Sequence, residues 1–308
     1  MSKNLKITLG AIYLFILISF LYFLFSKFEI SRINDFSYYK LIQSNIEQFI
    51  GKNLAEWLKQ KHEVLGYEWH KENLPLIKDF DWVIHLGAIS DTTERDVNKI
   101  LTQNYDFSKW LYNQCKLYNV NLQYASSASV YGQTTNFKET LYCSPESPYA
   151  WSKFLFDRWA TAVHDNSFIC QGFRYFNVYG PHEDHKGNQA SPVFKFNQQA
   201  IETTEIKLFE NSENYLRDFV FVGDVCQIHE KMLDINKSGI WNIGTGKALS
   251  FDYVAKLIAK KRKALIQHIP MPENIKQQYQ KYTCSDNTKL LDTISHEFTE
   301  IDDYIASL

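Results

Sequence analysis

The sequence predicts an α/β fold with a doubly wound parallel sheet and a smaller C-terminal lobe. Short apolar stretches typical of strands alternate with longer stretches of helical spacing, which is the βαβ pattern. Two of the predicted strands end in small residues, Gly87-Ala88 and Gly244-Thr245-Gly246. Open α/β sheets bind ligands at such strand ends. The length of 308 residues suits one domain of this class with an added lobe.

The N-terminal stretch is strongly apolar. Residues 7–26 form a run of twenty residues without a charge, with lysines on both sides. Its length fits a transmembrane helix, and no small-x-small cleavage site follows, so an uncleaved membrane anchor is one interpretation. The alternative is the first strand and helix of a parallel sheet, because those elements are also apolar.

The middle of the chain supplies a helix–strand alternation. Residues 40–61 carry apolar side chains at helical spacing, which predicts one or two surface helices. Residues 80–88 read as a strand that ends in Gly-Ala, where a ligand can approach the backbone closely. A helix over 98–118 and a strand over 120–125 follow. This order is expected of a parallel sheet.

Several later helices have clear signals for where they begin. Pro148 predicts a helix that begins beside Tyr149, and Asp224 and Ser250 are predicted helix N-caps. Strands are predicted over 170–176, 206–209 and 240–246, with helices over 193–202 and 251–262 and a short helix at the C-terminus.

Composition excludes several function classes. Lysine plus arginine (33) nearly balance aspartate plus glutamate (35), so no charge field favours nucleic acid. The five cysteines are scattered and lack C-x-x-C spacing, which argues against a disulfide framework or a zinc site. The loop with His182 and His185 is too sparse in ligands to predict a metal site, and none is expected.

Tyr149 and Lys153 are the main candidates for catalysis. Residues four apart share one helix face, so a phenol and an ammonium would lie together. A neighbouring cation and a hydroxyl donor both lower the pKa of a phenol, which suits acid/base chemistry. Either Ser126 or Ser127, at the end of the preceding strand, can supply the hydroxyl.

Five segments resemble the extended short-chain dehydrogenase/reductases of the NAD-dependent epimerase/dehydratase family, whose fold is Rossmann-like. They are YASSASVYG (124–132), SPYAWSKFLFDRW (147–159), GFRYFNVYGPHEDHKGNQAS (172–191), KLFENSENYLRDFVFVGDV (207–225) and SGIWNIGTG (238–246). Within that family, the HKG and FENSENYLRDFV segments resemble the ADP-L-glycero-D-manno-heptose 6-epimerases. The resemblance implies an isomerase that oxidises C6 of an ADP-heptose transiently with tightly held NADP, for lipopolysaccharide synthesis. It also implies a homo-oligomer.

The resemblance assigns roles and domains by position. The dinucleotide-binding domain would span 1–180, and 181–308 would be mainly a substrate lobe, with 216–264 returning to the first domain. The catalytic residues would be Ser127, Tyr149, Lys153 and Lys186. Cofactor contacts would come from Gly10, Asp35, Gly87, Ala88, Ile89, Asn104, Lys153, Val178 and Lys186. Substrate contacts would come from Asn177, Lys195, Phe209, Glu210, Asn211, Ser212, Arg217 and Tyr279.

The beginning of the chain departs from the family pattern. The stretch collinear with the family's glycine-rich turn keeps Gly10 but has Leu9, Ile12 and Phe15 where glycines are expected. Such side chains occupy the space of the cofactor's pyrophosphate. A damaged gene, a non-catalytic relative with a membrane anchor, and an enzyme that binds NADP by other contacts are the three explanations. We favour the first, since an anchor would remove the central strand and leave edges exposed.

Two other classes compete with the heptose epimerase interpretation. Another sugar-nucleotide epimerase or a dehydratase is less favoured, because Ser127-Ala128-Ser129 lacks the acidic residues that follow a dehydratase's catalytic threonine. A non-catalytic, membrane-anchored binding protein is the second. The epimerase would be cytoplasmic, whereas an anchor at residues 7–26 would attach the chain to the inner membrane, with its catalytic part facing the cytoplasm.

Overall fold

The computed structural model of this chain describes residues 38–45, 47–67, 76–91, 94–140, 142–273 and 280–308. The chain divides into two units, Met1–Tyr38 and Tyr39–Leu308, and the second is described here. The apolar stretch 7–26 lies outside the described residues. Among the described residues, no helix is long and apolar enough to cross a membrane.

Eleven strands and nine helices are used below, numbered within the described residues. The strands are β1 Lys40–Ser44, β2 Glu63–Tyr67, β3 Trp82–His85, β4 Asn121–Ser127, β5 Cys170–Tyr175, β6 Asn177–Tyr179, β7 Glu205–Phe209, β8 Leu216–Phe221, β9 Gly239–Ile243, β10 Ala248–Ser250 and β11 Leu265–Ile269. The helices are α1 Phe49–Leu58, α2 Val97–Ile100, α3 Phe107–Tyr118, α4 Pro148–Val163, α5 Pro192–Thr203, α6 Val222–Leu233, α7 Phe251–Arg262, α8 Thr288–Leu291 and α9 Ile301–Ser307. A π-helical stretch, Leu101–Asp106, joins α2 to α3.

The main sheet confirms the predicted fold class. Its six described strands follow the order β2-β1-β3-β4-β5-β9, and every neighbouring pair is parallel. The chain runs outward from β1 to β2 and then returns to place β3 on the other side of β1. The strand order therefore reverses between β1 and β3, the position at which open α/β sheets bind their ligands.

Helices cover both faces of this sheet because successive strand residues point in opposite directions. Leu41 and Ile84 are fully buried among side chains of α1 and α6. Ile42 and Val83 join the opposite core with residues of α3 and α4. A third core, formed largely by α5, α7, β7 and α9, stabilises the C-terminal lobe.

Two smaller sheets extend the fold beyond the main sheet. In one, β8 pairs with β6 in parallel and with β10 antiparallel. In the other, β11 pairs with β7 in parallel. The division at residue 180 into a cofactor domain and a substrate lobe stays a prediction.

The prediction of helices over 40–61 is wrong for its first part. Lys40–Ser44 forms the central strand β1, and helix begins only at Phe49. The strand is short, and its buried Gln43 breaks the apolar pattern; its side-chain amide donates to the Gly51 carbonyl at 2.6 Å. The strand β2 was also missed. Because β1 lies between β2 and β3, an anchor at residues 7–26 would not leave the sheet without its central strand, contrary to our expectation.

Of the two predicted N-cap residues, one is confirmed and the other is wrong. Ser250 is the N-cap of α7, where its hydroxyl accepts a hydrogen bond from Tyr253 N at 3.0 Å. Asp224 is not an N-cap, since α6 begins at Val222. Instead, its buried carboxylate accepts hydrogen bonds from the backbone N–H and the hydroxyl of Thr299. The carboxylate therefore joins α6 to the C-terminal segment.

Candidate active site

The start of α4 positions the two main catalytic candidates. Ser147 caps the helix by accepting a hydrogen bond from Ala150 N at 3.1 Å, and Pro148 is its first residue, as predicted. Tyr149 therefore lies at the helix start and Lys153 one turn later on the same face. Both follow a loop that leads from the end of β4.

Ser127, rather than Ser126, faces Tyr149. Ser126 is buried, and its hydroxyl donates to the Asp157 carboxylate at 3.0 Å behind the site. Neighbouring residues of a strand point to opposite faces, so Ser127 is on the side of Tyr149. The Ser127 hydroxyl lowers the pKa of Tyr149 through a hydrogen bond. The structure thus distinguishes the two serines that the sequence left open.

Burial dominates the acid/base properties of Tyr149. Removal from water raises the pKa of its phenol above the ordinary value, and the hydrogen bond of Ser127 acts in the opposite direction. The net lowering expected from the sequence is therefore wrong for the chain without ligands. Tyr149 is a protonated phenol at neutral pH and can donate a proton.

Lys153 is a buried cation at the centre of the site. Its ammonium donates a hydrogen bond to the Ala125 carbonyl of β4 at 2.9 Å. Burial lowers the pKa of Lys153 to about 8, and the nearby Asp157 carboxylate opposes that shift. Lys153 is therefore charged at neutral pH but close to its titration range.

Asp157 belongs to a buried ion pair that sequence reasoning missed. The Arg174 guanidinium of β5 donates to Asp157 at 2.9 Å, and both side chains are fully buried. Arg174 also donates to the Thr140 carbonyl at 3.2 Å, in the loop that precedes α4. The position of Asp157, four residues after Lys153, is the sequence signal that could have found it.

The predicted cofactor residues lie where the strand order reverses. The backbone N–H groups of Leu86 and Gly87, just after β3, donate to the hydroxyl of Ser44 at the end of β1. Ala88 follows in the same turn. The Nδ1 atom of His85 lies 3.2 Å from the hydroxyl oxygen of Ser44. Burial lowers the pKa of His85 to about 3, so its imidazole is neutral. Neither Ser44 nor His85 was predicted.

Asn104 joins the cofactor loop to the catalytic helix. Its amide accepts a hydrogen bond from Ile89 N at 2.7 Å and donates to the Ile89 carbonyl and to the Ser152 hydroxyl, both at 3.0 Å. Ser152 in turn donates to the Tyr149 carbonyl at 2.7 Å. Asn104 belongs to the π-helical stretch, a distortion often found at functional sites. The predicted residues Ile89, Asn104 and Tyr149 therefore lie together.

A tight turn joins β1 to α1 at the same edge of the sheet. Asn45 adopts a left-handed conformation with φ of 63°, which asparagine tolerates better than most residues. A Cβ added to Gly51 would overlap the Asn45 carbonyl oxygen, so only glycine fits there. This turn has the place in the fold that the resemblance assigned to the Gly10 region. Gly10 and Asp35 themselves lie outside the described residues.

The HKG loop brings Lys186 towards α1, and Lys195 follows in α5. The Lys186 ammonium lies 4.5 Å from the centre of the Phe49 ring and 3.5 Å from Glu183, a fully buried carboxylate. Lys195 donates to the Asn188 carbonyl at 2.6 Å. Burial lowers the pKa of both lysines, and the charge of Lys186 contributes to the shift of Lys195. The two ammonium groups therefore share one electrostatic environment.

The other predicted substrate residues lie on the strands and turns of the lobe. Asn177 and Val178 are in β6, which pairs with β8, the strand that contains Arg217. The guanidinium of Arg217 donates to the Leu216 carbonyl at 2.8 Å and the Gln280 carbonyl at 2.5 Å. Asn211 is left-handed, with φ of 60°, in the turn that follows β7. Phe209 is the last residue of β7, and Glu210, Asn211 and Ser212 follow it. Tyr279 lies outside the described residues.

A family model described as the NAD dependent epimerase/dehydratase family matches residues 47–244. The chain belongs to this family. Its match includes α1, the cofactor loop and the Tyr149 helix, and thus most of the geometry described above.

Solved structures agree with this family assignment. The ADP-L-glycero-D-manno-heptose-6-epimerase of Helicobacter pylori has a TM-score of 0.78 and 26% identity over 89% of this chain and 96% of that chain. A UDP-N-acetylglucosamine 4-epimerase of Methanobrevibacter ruminantium has a TM-score of 0.77 and 21% identity over 87% and 96% of the two chains. The UDP-glucose 4-epimerase of Thermus thermophilus, in complex with NAD, has 0.73 and 23% over the same shares. The last two likenesses show the fold.

The described residues fit a nicotinamide dinucleotide, the cofactor of this epimerase/dehydratase family. Lys153 and Tyr149 would hold its ribose and nicotinamide end, and the half-buried residues Gly87 to Ile89 would contact it from the loop after β3. The helix α1 begins after a turn and its N-cap residue makes no side-chain hydrogen bond, so its first N–H groups suit a pyrophosphate. The arrangement is that of a site for oxidising and reducing a bound alcohol.

Proposed function

We propose that this chain is a sugar-nucleotide epimerase that inverts C6 of ADP-D-glycero-D-manno-heptose to give ADP-L-glycero-D-manno-heptose, with NADP as its cofactor. The observation that carries the proposal is the cluster of Ser127, Tyr149 and Lys153 at the end of β4, which Asn104 joins to the cofactor loop at the strand-order reversal. The segments around Lys186 and Arg217 favour the heptose substrate, as does the 26% identity with the Helicobacter pylori enzyme.

Tyr149 would transfer the proton of the sugar hydroxyl. Oxidation of an alcohol removes this proton and a hydride, and the bound nicotinamide supplies the hydride acceptor and later the donor. Tyr149 would first release its phenolic proton to solvent, a step that the charge of Lys153 favours by stabilising the phenolate, and this phenolate would then accept the proton of the sugar hydroxyl. Ser127 would position the phenol and the reacting oxygen. Return of the proton from Tyr149 restores the starting state of the enzyme.

Inversion requires that both faces of the oxidised carbon be accessible to the hydride. The oxidised sugar carbon is planar, so a rotation of the sugar between the two transfers produces the opposite configuration. Lys186 is our candidate for a second polar contact, because it is partly buried and lies beside α1. Asn177, Lys195, Phe209, Glu210, Asn211, Ser212, Arg217 and Tyr279 would hold the nucleotide and the sugar.

The direct experiment is a substrate comparison with the purified full chain. ADP-D-glycero-D-manno-heptose, UDP-glucose and UDP-N-acetylglucosamine are each incubated with the protein at saturating NADP, and products are resolved by chromatography and NMR. Conversion of the ADP-heptose alone supports the proposal. Conversion of a UDP-sugar alone contradicts the substrate assignment. Conversion of none of the three contradicts the epimerase assignment.

The cofactor is tested separately by competition. NADP and NAD are titrated against the same protein, and NADP is expected to bind more tightly. Preference for NAD would contradict the NADP assignment without affecting the epimerase proposal. We further propose a homo-oligomer, which sedimentation measurements on the purified chain would test.

The location of the protein in the cell depends on residues 7–26. We propose a cytoplasmic enzyme, with attachment to the inner membrane by this segment as the alternative that its apolar sequence favours. Cell fractionation followed by carbonate extraction distinguishes them. Recovery in the soluble fraction supports the first, and recovery in the extracted membrane supports the second.

A further inference from the structure

The turn between β1 and α1 carries two exposed polar residues, Glu47 and Gln48, at the start of the helix. Gln48 is the N-cap residue of α1, and its backbone is extended with φ of −95° and ψ of 163°. Its backbone carbonyl accepts a hydrogen bond from Lys52 N at 2.6 Å. Both residues therefore lie at the N-terminal end of α1, the end at which a pyrophosphate would approach.

Asn45 and Gly51 keep two backbone features of a dinucleotide-binding turn. Asn45 supplies the left-handed residue at the first position of the turn. Gly51 supplies the close approach between helix and strand that the last glycine of such turns provides. The middle position, at which a glycine lets the backbone approach the pyrophosphate, is occupied by Gln48 here. The first position thus keeps its left-handed backbone without a glycine, whereas the middle position lacks the glycine that permits the close approach.

Charge at the same place opposes phosphate binding. The partial positive charge of a helix N-terminus attracts a pyrophosphate, whereas the Glu47 carboxylate beside it repels one. Two cations lie nearby: Lys52 is within the first turns of α1, and Lys186 lies over the Phe49 ring. The ammonium of Lys186 is 3.5 Å from the Glu183 carboxylate, which offsets part of its charge.

We propose that Glu47 and Gln48 make the nicotinamide dinucleotide a weakly held, exchangeable ligand of this chain rather than a resident group. This inference rests on the proposed function, since it concerns the cofactor of the same site. It replaces the tight retention implied by the resemblance. The two residues would set the affinity for the cofactor's pyrophosphate, while Tyr149 and Lys153 act at its other end.

The test is an equilibrium titration of the nucleotide-free full chain with NADP by calorimetry. The Glu47→Gln/Gln48→Gly double variant is expected to bind NADP at least about tenfold more tightly than the parent, equivalent to about 1.4 kcal/mol. Gln60→Gly and Glu63→Gln are matched controls, because these exposed residues lie beyond the C-terminal end of α1 and at the start of β2. The controls should leave the affinity unchanged.

Two further measurements separate charge from bulk. Glu47→Gln alone should tighten binding at low salt, and its advantage over the parent should shrink at about 1 M salt, where screening acts over about 3 Å. The parent should lose its cofactor during desalting, whereas the double variant should retain more. Circular dichroism verifies that each variant folds, and Gln48→Ala replaces Gln48→Gly if the glycine variant unfolds.

Several outcomes would overturn the inference. They are stoichiometric cofactor in the desalted parent, equal affinity of parent and double variant, and absence of binding by both. None of these measurements uses epimerisation. A double variant that binds NADP tightly but converts no sugar nucleotide would support the inference and contradict the proposed function. An active parent that retains its cofactor would contradict the inference and support the proposed function.

Discussion

The two ends of the candidate cofactor site differ in how closely they follow the family pattern. Around Tyr149 the helix is capped by Ser147, Lys153 is buried against β4, and Asn104 joins the helix to the cofactor loop. At the start of α1 the N-cap Gln48 makes no side-chain hydrogen bond, and one glycine of three remains. The residues proposed for proton transfer thus follow the family pattern, whereas the residues proposed to hold phosphate depart from it. The two sets vary independently in this chain.

The largest expected effect comes from Tyr149→Phe. This substitution removes the phenol that transfers the proton, so the rate of epimerisation should fall by at least about 100-fold. The measurement is kcat at saturating cofactor and ADP-heptose. Tyr142→Phe is the matched control, because Tyr142 is 94% exposed and precedes the helix. A Tyr149→Phe rate within tenfold of the parent would refute the assigned role.

The turn after β1 is expected to depend most on Gly51. A Cβ in Gly51→Ala would overlap the Asn45 carbonyl oxygen, and overpacking against backbone destabilises the fold by about 3 kcal/mol. Urea unfolding followed by tryptophan fluorescence measures this loss. Ala55→Gly, further along α1, is the comparison, because this substitution removes a Cβ and so creates no overlap. Unchanged stability in Gly51→Ala would mean that α1 does not approach the turn so closely.

The Asp157 carboxylate should set the alkaline limit of activity. Because burial lowers the pKa of Lys153 to about 8, its charge is complete below that pH and is lost above it. Activity that needs this charge should therefore fall as pH rises through about 8. Asp157 raises the pKa of Lys153, so Asp157→Asn should move the fall to lower pH.

A pH profile of kcat for parent and variant measures this shift. The control is Asp165→Asn, which alters the exposed pair with Lys116 just beyond the C-terminal end of α4 and should leave the profile in place. Asp157→Asn should also destabilise the chain, since the Arg174 guanidinium would remain buried without its charged partner. An unchanged profile in the folded variant would exclude an effect of Asp157 on Lys153.

The smallest expected effect concerns the helix caps. Ser147→Ala removes the side chain that accepts the hydrogen bond of Ala150 N, which should cost about 1 kcal/mol of stability. Gln48→Ser adds a capping hydroxyl to α1 and should increase stability by a similar amount. Thermal unfolding of both variants tests the contrast. Equal effects of the two substitutions would show that the two helix starts do not differ.

Much of the fold was predictable because its signals are local. The β4 strand, the start of α4 at Pro148 and the Ser250 cap depend on neighbouring residues, and all three are present in the structure. The position of β1 was not predicted, because its five residues include a polar Gln43, whose amide nitrogen finds its partner in the Gly51 carbonyl of the following helix. The prediction of the glycine-rich turn at Gly10 was therefore made without the turn at Asn45.

The candidate site was predicted in a similar way. The residues with motif signals, Ser127, Tyr149, Lys153 and Asn104, lie together, whereas Ser44, His85 and Arg174 went unnoticed. Their roles depend on contacts between strands that are distant in sequence, such as the hydrogen bond of Gly87 N to Ser44. The rise in the pKa of Tyr149 was also missed, since burial cannot be read from the Tyr-x-x-x-Lys spacing.

The central claim, epimerisation by hydride transfer at C6 with proton transfer by Tyr149, has one direct test. ADP-D-glycero-D-manno-heptose carrying deuterium at C6 is converted by the purified chain, and the product is examined by NMR and mass spectrometry. The account predicts an inverted product that keeps deuterium at C6, because the same hydride returns to the sugar. Inversion with complete loss of the deuterium to water would contradict it.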